Sequence, residues 1–367
     1  MRFFSLIIFL VVSITQSCEK PSNDDPSEKI KQVESGLLPP IVIAGDSSST
    51  FDLYERMEFY KVPGLSLAVI EGGQLAWAKG YGYLSQAKKV AIDTTTLFQA
   101  ASISKPVAAL AALKLAEEGK VSLDADVNTY LHDDWRIASN RFTQDHPVSL
   151  RNLLTHTGGL TVHGFPGYAD GDTLPSLVEI LQGIPPANTA LIEVDTLPGA
   201  HWRYSGGGYT VMQKVIEDRT GLPFEKYLEE AVLMPLNMRN STYEQPLPLS
   251  RHPQASTGHR NDGTPVKGNW HTYPEKAAAG LWTTPTDLAH YITGVMKMYR
   301  GEEGPISPSS TREMLRKHLG DWGLGPALQM VEDSLYFGHG GANEGYRARF
   351  VALPETGQGA VVMTNSD

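Results

Sequence analysis

The sequence predicts an α/β (α+β) protein: a central antiparallel sheet assembled from both ends of the mature chain and flanked by helices, with a mainly helical lobe inserted between them. Three observations carry this expectation. Residues 65–83 read as one β-hairpin, residues 347–364 read as another, and helix and loop signals dominate the stretch between. With 367 residues and 41% apolar content, the chain can bury a substantial core and exceeds the common size of one simple domain. Its formal net charge of −10, from 41 acidic and 31 basic side chains, gives no support to a protein that grips a phosphate backbone.

The N-terminus, residues 1–17, has the pattern of a signal peptide. Met1-Arg2 precedes an apolar run from Phe3 to Ile14 that is too short for a comfortable membrane span. Cys18 is the only cysteine, which excludes an intramolecular disulfide, and it follows Ser17 where a bacterial lipoprotein would carry its lipidated first residue. Membrane attachment through Cys18 and a place in the cell envelope, facing the periplasm or the outer surface, are therefore expected. Thr15 and Gln16 make that signal a loose one, so ordinary secretion and an uncleaved anchor stay open. Residues 18–40 are polar and turn-rich and read as a tether. The folded domain then runs over 41–367, with a sheet lobe at about 41–100 and 275–367 and a helical lobe at about 101–274.

Thr50 to Tyr60 predicts a short amphipathic helix, stopped by Pro63-Gly64. Leu65–Ile70, a turn at Glu71-Gly72-Gly73 and Leu75–Tyr83 make the first hairpin, and Thr94–Phe98 leads into a long helix ending at Gly119. Proline is tolerated only in a first turn, so Pro106 sets the start of that helix at about Ser102 or Ile103. Ser102 and Lys105 then share a face. A lysine amine of lowered pKa beside a serine hydroxyl can accept its proton, and a helix N-terminus disfavours a cation while offering free N–H groups to an anion. The same residues also fit a plain N-cap at Ser102 or Ser104 with Lys105 as a solvated surface residue.

Val148–Leu154 predicts a short helix, followed by an irregular segment carrying His156 and His163. His156 reads either as a packed, hydrogen-bonded side chain or as a cleft-lining contact, because no second ligand lies at metal-binding spacing. Within Pro198–Gly208, Tyr204 reads either as a core aromatic or as a site group beside glycines that permit close approach of another element. Tyr209–Thr220 is expected to be helical, with a stop at Gly221, and Pro246–Pro274 to be a long loop system. A helix capped by Thr284 or Thr286 is expected to reach about Tyr299. Trp282 before it is a candidate cleft wall or a core residue. Ser334–Phe337 starts a strand, a glycine-rich stretch follows, and Arg347–Leu353 and Gly359–Thr364 form the second hairpin. The site is expected where the lobes meet.

Three stretches in this order, Ser102-x-x-Lys105, Tyr204-Ser205-Gly206 and His339-Gly340-Gly341, resemble the motifs of the penicillin-recognising serine hydrolases. That group comprises class C beta-lactamases, D-alanyl-D-alanine carboxypeptidases and related esterases. Leu153–Leu160, Gly280–Leu288 and Thr364–Asp367 support the likeness, which covers roughly Phe51 to Asp367. The resemblance implies a serine beta-lactamase/transpeptidase-like fold and an acyl-enzyme mechanism. Ser102 would be the nucleophile, with Lys105 and Tyr204 sharing general-base work and Tyr204 also serving the leaving group and the deacylating water. An oxyanion hole from the backbone N–H groups of Ser102 and Ala342, substrate binding along His339, Gly340 and Gly341, and no metal or organic cofactor are implied with it.

Two departures bear on the substrate, a small molecule or a peptidoglycan peptide. Gly206 stands where the family often has asparagine, and His339 where beta-lactamases often have lysine. An esterase-like or broad exported serine hydrolase is the leading expectation. A D-alanyl-D-alanine carboxypeptidase or D-amino-acid peptidase, a beta-lactamase, and a penicillin-binding sensor with little turnover are the alternatives. Relatives usually continue past the stretch matching Asn365-Ser366-Asp367 into a helix over the sheet, without which apolar sheet surface would be exposed.

Overall fold

The computed structural model describes residues 26–39, 41, 50–87 and 89–367. The expected signal peptide and Cys18 lie outside the described residues. The described residues fall into two compact units, one ending at Glu55 and one running from Arg56 to Asp367. In the first, α1 (Pro26–Ser35) occupies part of the expected tether. A proline at the helix start and Glu28 in its first turn explain why this polar segment coils rather than staying extended. Leu37 and Phe51 form an isolated antiparallel bridge. No helix among the described residues is long and apolar enough to cross a membrane.

After α2 (Leu53–Phe59), β1 (Gly64–Glu71) and β2 (Gln74–Gly82) form the first hairpin. The short β3 (Phe98–Gln99) enters a 3-10 turn, Ala101–Ile103, which runs into α3 (Ser104–Glu117). The helical part continues through α4 (Leu150–Leu154), α5 (Leu177–Gln182), α6 (Gly206–Thr220), α7 (Phe224–Leu228) and α8 (Lys276–Ala279). Then come β4 (Trp282–Thr283), α9 (Pro285–Arg300) and α10 (Pro308–Met314). The chain ends in a meander of β5 (Ala327–Val331), β6 (Ser334–Asn343), β7 (Tyr346–Leu353) and β8 (Gln358–Thr364).

The main sheet is antiparallel, with six strands in the order β2-β1-β8-β7-β6-β5. Its closure joins the two ends of the folded unit, with Leu65 opposite Thr364 and Ile70 opposite Gly359. Ala68, Ile70, Val361 and Met363 point to the buried face, over which α9 packs. On the other face Leu67, Val69 and Val362 are half-buried and Val351 is exposed. A second pairing, Gln99 with Trp282, ties the entrance of α3 to the segment between α8 and α9. α3 itself is apolar nearly all round, and Val107 to Leu113 are buried, as expected of a helix in the middle of a core.

Several elements differ from the sequence expectation. Ser102 sits in the 3-10 turn and α3 starts at Ser104, so Pro106 still falls in a first turn. α6 starts at Gly206 rather than Tyr209, because Ser205 caps it: its Oγ accepts from Gly208 N at 2.9 Å. The glycines there serve close approach, since a Cβ on Gly207 would lie 2.7 Å from Thr161 O. β6 runs straight through the glycine-rich stretch, held by its ladder to β7. Thr284, not Thr286, caps α9.

β6 meets the start of the 3-10 turn so closely that a Cβ on Gly341 would lie 2.2 Å from Ala100 O, whereas one on Gly340 would find its nearest neighbour at 3.9 Å. Gly341→Ala is therefore expected to cost about 1–3 kcal/mol in urea denaturation, while Gly340→Ala stays within about 0.5 kcal/mol of the parent.

Candidate active site

Ser102 owes its position to a backbone that turns sharply before α3. Ala101 takes φ 49°, the left-handed region that a non-glycine residue seldom occupies. From the first turn of α3, Lys105 Nζ reaches Ser102 Oγ at 3.0 Å and donates to Ala278 O, at the end of α8, at 2.8 Å. The amine also lies 4.9 Å from the Tyr204 ring centroid and 5.8 Å from that of Tyr209. Lys105 is 2% exposed, and among the described residues no carboxylate pairs with it. Burial therefore lowers its pKa to about 7. In the neutral state the amine can keep its bond to Ala278 O and turn its lone pair toward the serine proton.

Tyr204 faces this pair from the segment just before α6. Its hydroxyl makes no hydrogen bond of good geometry among the described residues. Burial pushes its pKa well above the ordinary phenol value, and the nearby Ser102 hydroxyl opposes that only in part. His156 packs behind it, ring centroids 4.2 Å apart, and His156 Nδ1 accepts from Ser205 N at 3.1 Å. The histidine is fully buried, and burial, then the neighbouring Lys105, hold its pKa well below the usual value.

His339 on β6 completes the wall. Its Nδ1 lies 2.6 Å from Gly340 O, and its ring stands 5.4 Å from Trp322 and 6.1 Å from Tyr204. Burial first and Lys105 second push its pKa down to about 3, so it is a neutral imidazole at ordinary pH. A cavity of about 550 Å³ opens in front of these groups, lined by Ser102, Tyr204, His339, Gly340, Gly341 and Ala342, with Trp202 and His163 at its side. Beyond Gly338 the outer edge of β6 has no strand partner among the described residues, because β5 pairs only with its first half. Ala342 thus lies on an open edge beside the cavity.

The structure brings together Ser102, Lys105, Tyr204, His339, Gly340, Gly341 and Ala342. It does not bring the two candidate cleft-lining side chains to the cavity. His156 is behind Tyr204, and Trp282 is wholly buried between Trp270 and Tyr346, where an aromatic of its size fills core space. Trp322, Asn343, Gln99 and Glu275 were not singled out by the sequence. Asn343 donates to Gln99 Oε1 at 2.8 Å and Ala279 O at 3.2 Å, clamping β6 to β3 and α8. Its place directly after the His-Gly-Gly-Ala stretch was the one available signal. Among the described residues no group of histidine, cysteine or acidic side chains is arranged to hold a metal.

Comparison with known proteins gives the family. The Beta-lactamase family model matches residues 53–367, and the chain belongs to that family. It is 27% identical over 263 residues to Protein flp of Staphylococcus aureus strain MRSA252, covering 68% of this chain and 49% of that protein. It is 26% identical over 257 residues to the putative penicillin-binding protein PbpX of Bacillus subtilis strain 168, covering 68% and 58% respectively. The chain spans about half the length of the curated relatives it matches. Among solved structures, the octameric penicillin-binding protein homologue from Pyrococcus abyssi superposes with TM-score 0.71 at 26% identity, over 86% of this chain and 72% of that one. A penicillin-binding protein from Bacillus halodurans gives TM-score 0.69 at 21% identity, over 86% and 94%, a likeness of fold.

Glu275, directly before α8, is wholly buried, and neither carboxylate oxygen has a hydrogen-bond partner of good geometry among the described residues. Burial raises its pKa from 4.5 to about 8. The stability contributed by the protonated acid is complete below the unfolded pKa and is lost as pH rises through the folded one. Glu275→Gln is therefore expected to gain stability over the parent between about pH 4.5 and 8, on the order of a few kcal/mol, in denaturation curves taken across that range.

Proposed function

We propose that the protein is a serine hydrolase that cleaves esters or amides through an acyl-enzyme, with esterase-like or broad specificity. The observation that carries this reading is the 3.0 Å approach of a fully buried, unpaired lysine amine to Ser102 Oγ. The opposed pKa shifts divide the work. Lys105, lowered to about 7, is available in its neutral form as the base, and Tyr204, raised, keeps its proton at neutral pH and so is the group that has one to pass on. Because the two sit within one network, they titrate as a coupled set.

Ser102 Oγ attacks the substrate carbonyl carbon as its proton passes to Lys105. The carbonyl oxygen takes up the negative charge and is met by the backbone N–H groups of Ser102 and Ala342. Tyr204 protonates the leaving oxygen or nitrogen as its bond to carbon breaks, and is reprotonated from Lys105. Water then attacks the Ser102 ester carbonyl, its proton passing to the same groups and from them to Ser102 Oγ as the carbon–Oγ bond breaks, which releases the acid and regenerates the serine. His339, as a neutral imidazole, fixes the wall along Gly340 and Gly341 against which substrate lies. These steps need no metal or cofactor.

The names of the relatives favour a second reading at the same site, a D-alanyl-D-alanine carboxypeptidase or D-amino-acid peptidase, and beyond it a penicillin-binding sensor that deacylates slowly. Gly206 argues against efficient beta-lactam turnover, since it presents no side-chain amide and faces His163 O and Phe165. The signal pattern and Cys18 support action in the cell envelope, from a lipid anchor.

Ser102→Ala is expected to abolish both turnover of a 4-nitrophenyl ester and covalent labelling by penicillin while leaving the circular dichroism spectrum intact. Lys105→Ala and Tyr204→Phe should each lower kcat/KM by roughly 10²–10⁴; near-parental rates in either would contradict the division of roles. Intact-protein mass spectrometry after penicillin treatment separates the readings. A lasting adduct on Ser102 supports the peptidase or sensor, and ester turnover without one supports the esterase.

A further inference from the structure

With no hydrogen bond of good geometry at the Tyr204 hydroxyl, nothing at that end of the side chain fixes where its proton is presented. The ring is held from behind instead. His156 lies against it with ring centroids 4.2 Å apart and planes 31° from parallel. The same histidine binds the backbone on both sides of the tyrosine: its carbonyl oxygen accepts from Arg203 N at 2.8 Å, and its Nδ1 accepts from Ser205 N at 3.1 Å. One residue thus holds the positions before and after Tyr204 as well as its ring. His163 stands 4.9 Å from the Tyr204 ring but is exposed, which leaves the buried support to His156.

His156 is itself fixed. Its backbone takes φ 58°, the left-handed region that a non-glycine residue seldom occupies. The turn is held on both sides of it, by Thr157 N donating to Asn152 O at 2.9 Å and by the Thr155 and Thr157 hydroxyls, 2.9 Å apart. Tyr209 and Trp322 close on the imidazole, with centroids 5.2 and 5.1 Å away. A strained backbone that its surroundings keep in place is the kind of position functional sites use. The imidazole is held neutral by burial, and because Nδ1 accepts a backbone N–H, Nε2 carries the hydrogen. That leaves no lone pair free, so His156 acts by holding and not by moving a proton.

We propose that His156 is a positioning residue that holds the Tyr204 hydroxyl where it meets the leaving atom, so that its contribution to the rate grows as the leaving group becomes harder to expel. The inference rests on the hydrolase reading and deepens it. When the carbonyl carbon–oxygen bond of an ester breaks, its electron pair stays on the leaving oxygen. The anion of 4-nitrophenol departs without help, whereas the more basic anion of phenol gains from the Tyr204 proton arriving as the bond breaks. A displacement of that hydroxyl on the order of 1 Å is enough to lose about 10²-fold in rate.

Two esters test it. 4-Nitrophenyl butyrate and phenyl butyrate form the same butyryl-enzyme and differ only in the leaving group, so the ratio of their kcat/KM values reads how well that group is protonated. His156→Ala should raise the ratio in favour of the nitrophenyl ester by about tenfold or more, and Tyr204→Phe should raise it too. Adding His156→Ala to Tyr204→Phe should change the ratio by less than about twofold, because the histidine acts through the phenol. His156→Asn keeps an acceptor for Ser205 N and tolerates the left-handed backbone but offers no ring, so its ratio should fall between the parent's and that of His156→Ala. It carries the test if circular dichroism shows His156→Ala unfolded. A merely structural role lowers both esters alike. A ratio within about twofold of the parent's in the folded His156 variants, or one that rises by the same factor with and without the Tyr204 hydroxyl, overturns the proposal. Ser102-dependent turnover in the parent keeps the hydrolase reading in that case, whereas no such turnover of either ester overturns both.

Discussion

The desolvation of one amine organises this structure. Lys105 is buried among apolar helix, two phenol rings and a carbonyl, with no carboxylate among the described residues to offset its charge. An ammonium ion is stable in such a place only at a cost that lowers its pKa toward neutrality. Much of the surrounding architecture can be read as what keeps water and counter-charge away from it. α3 is buried along its length, α8 presents Ala278 O to the amine, and His156 and His339 are held neutral rather than competing as cations.

That burial depends on long-range closure. β1 and β8 come from opposite ends of the folded unit and meet in the middle of the sheet, which brings β6 beside the 3-10 turn that holds Ser102. Asn343 and Gln99 fasten the same junction through side chains, and the β3–β4 pairing fastens it through backbone. The strained backbone at Ala101 is held by these contacts from several sides, so local strain and global fold are linked at one point.

Much of this was legible in the sequence, for identifiable reasons. Both hairpins announced themselves by alternation around glycine turns, and Pro106 fixed the start of the central helix to within a turn. Lys105 and Ser102 followed from that start. Tyr204 and His339 did not stand out by themselves, and needed the ordered motifs and the family resemblance. Other features had no local signature. Helix α6 began earlier than its glycines implied because tertiary packing and the Ser205 cap outweighed glycine's poor helix propensity. β5 is short and mixed in character, and α1 arises within a polar stretch whose composition reads as tether. By its place in sequence Trp282 fitted a cleft wall or the core equally, and its two ring partners place it in the core. Trp322 reaches the region of the site only through folding, so no spacing could reveal it.

The most direct test of this account is the pKa of Lys105 itself. Isotope-labelled lysine, followed by NMR through the side-chain carbon next to the amine and assigned by comparison with Lys105→Arg, reports that titration within the intact fold. The account predicts one lysine resonance titrating near pH 7, as burial requires. A Lys105 resonance that stays charged until about pH 10, as an ordinary lysine does, would contradict it, because the amine could not then serve as the base beside Ser102.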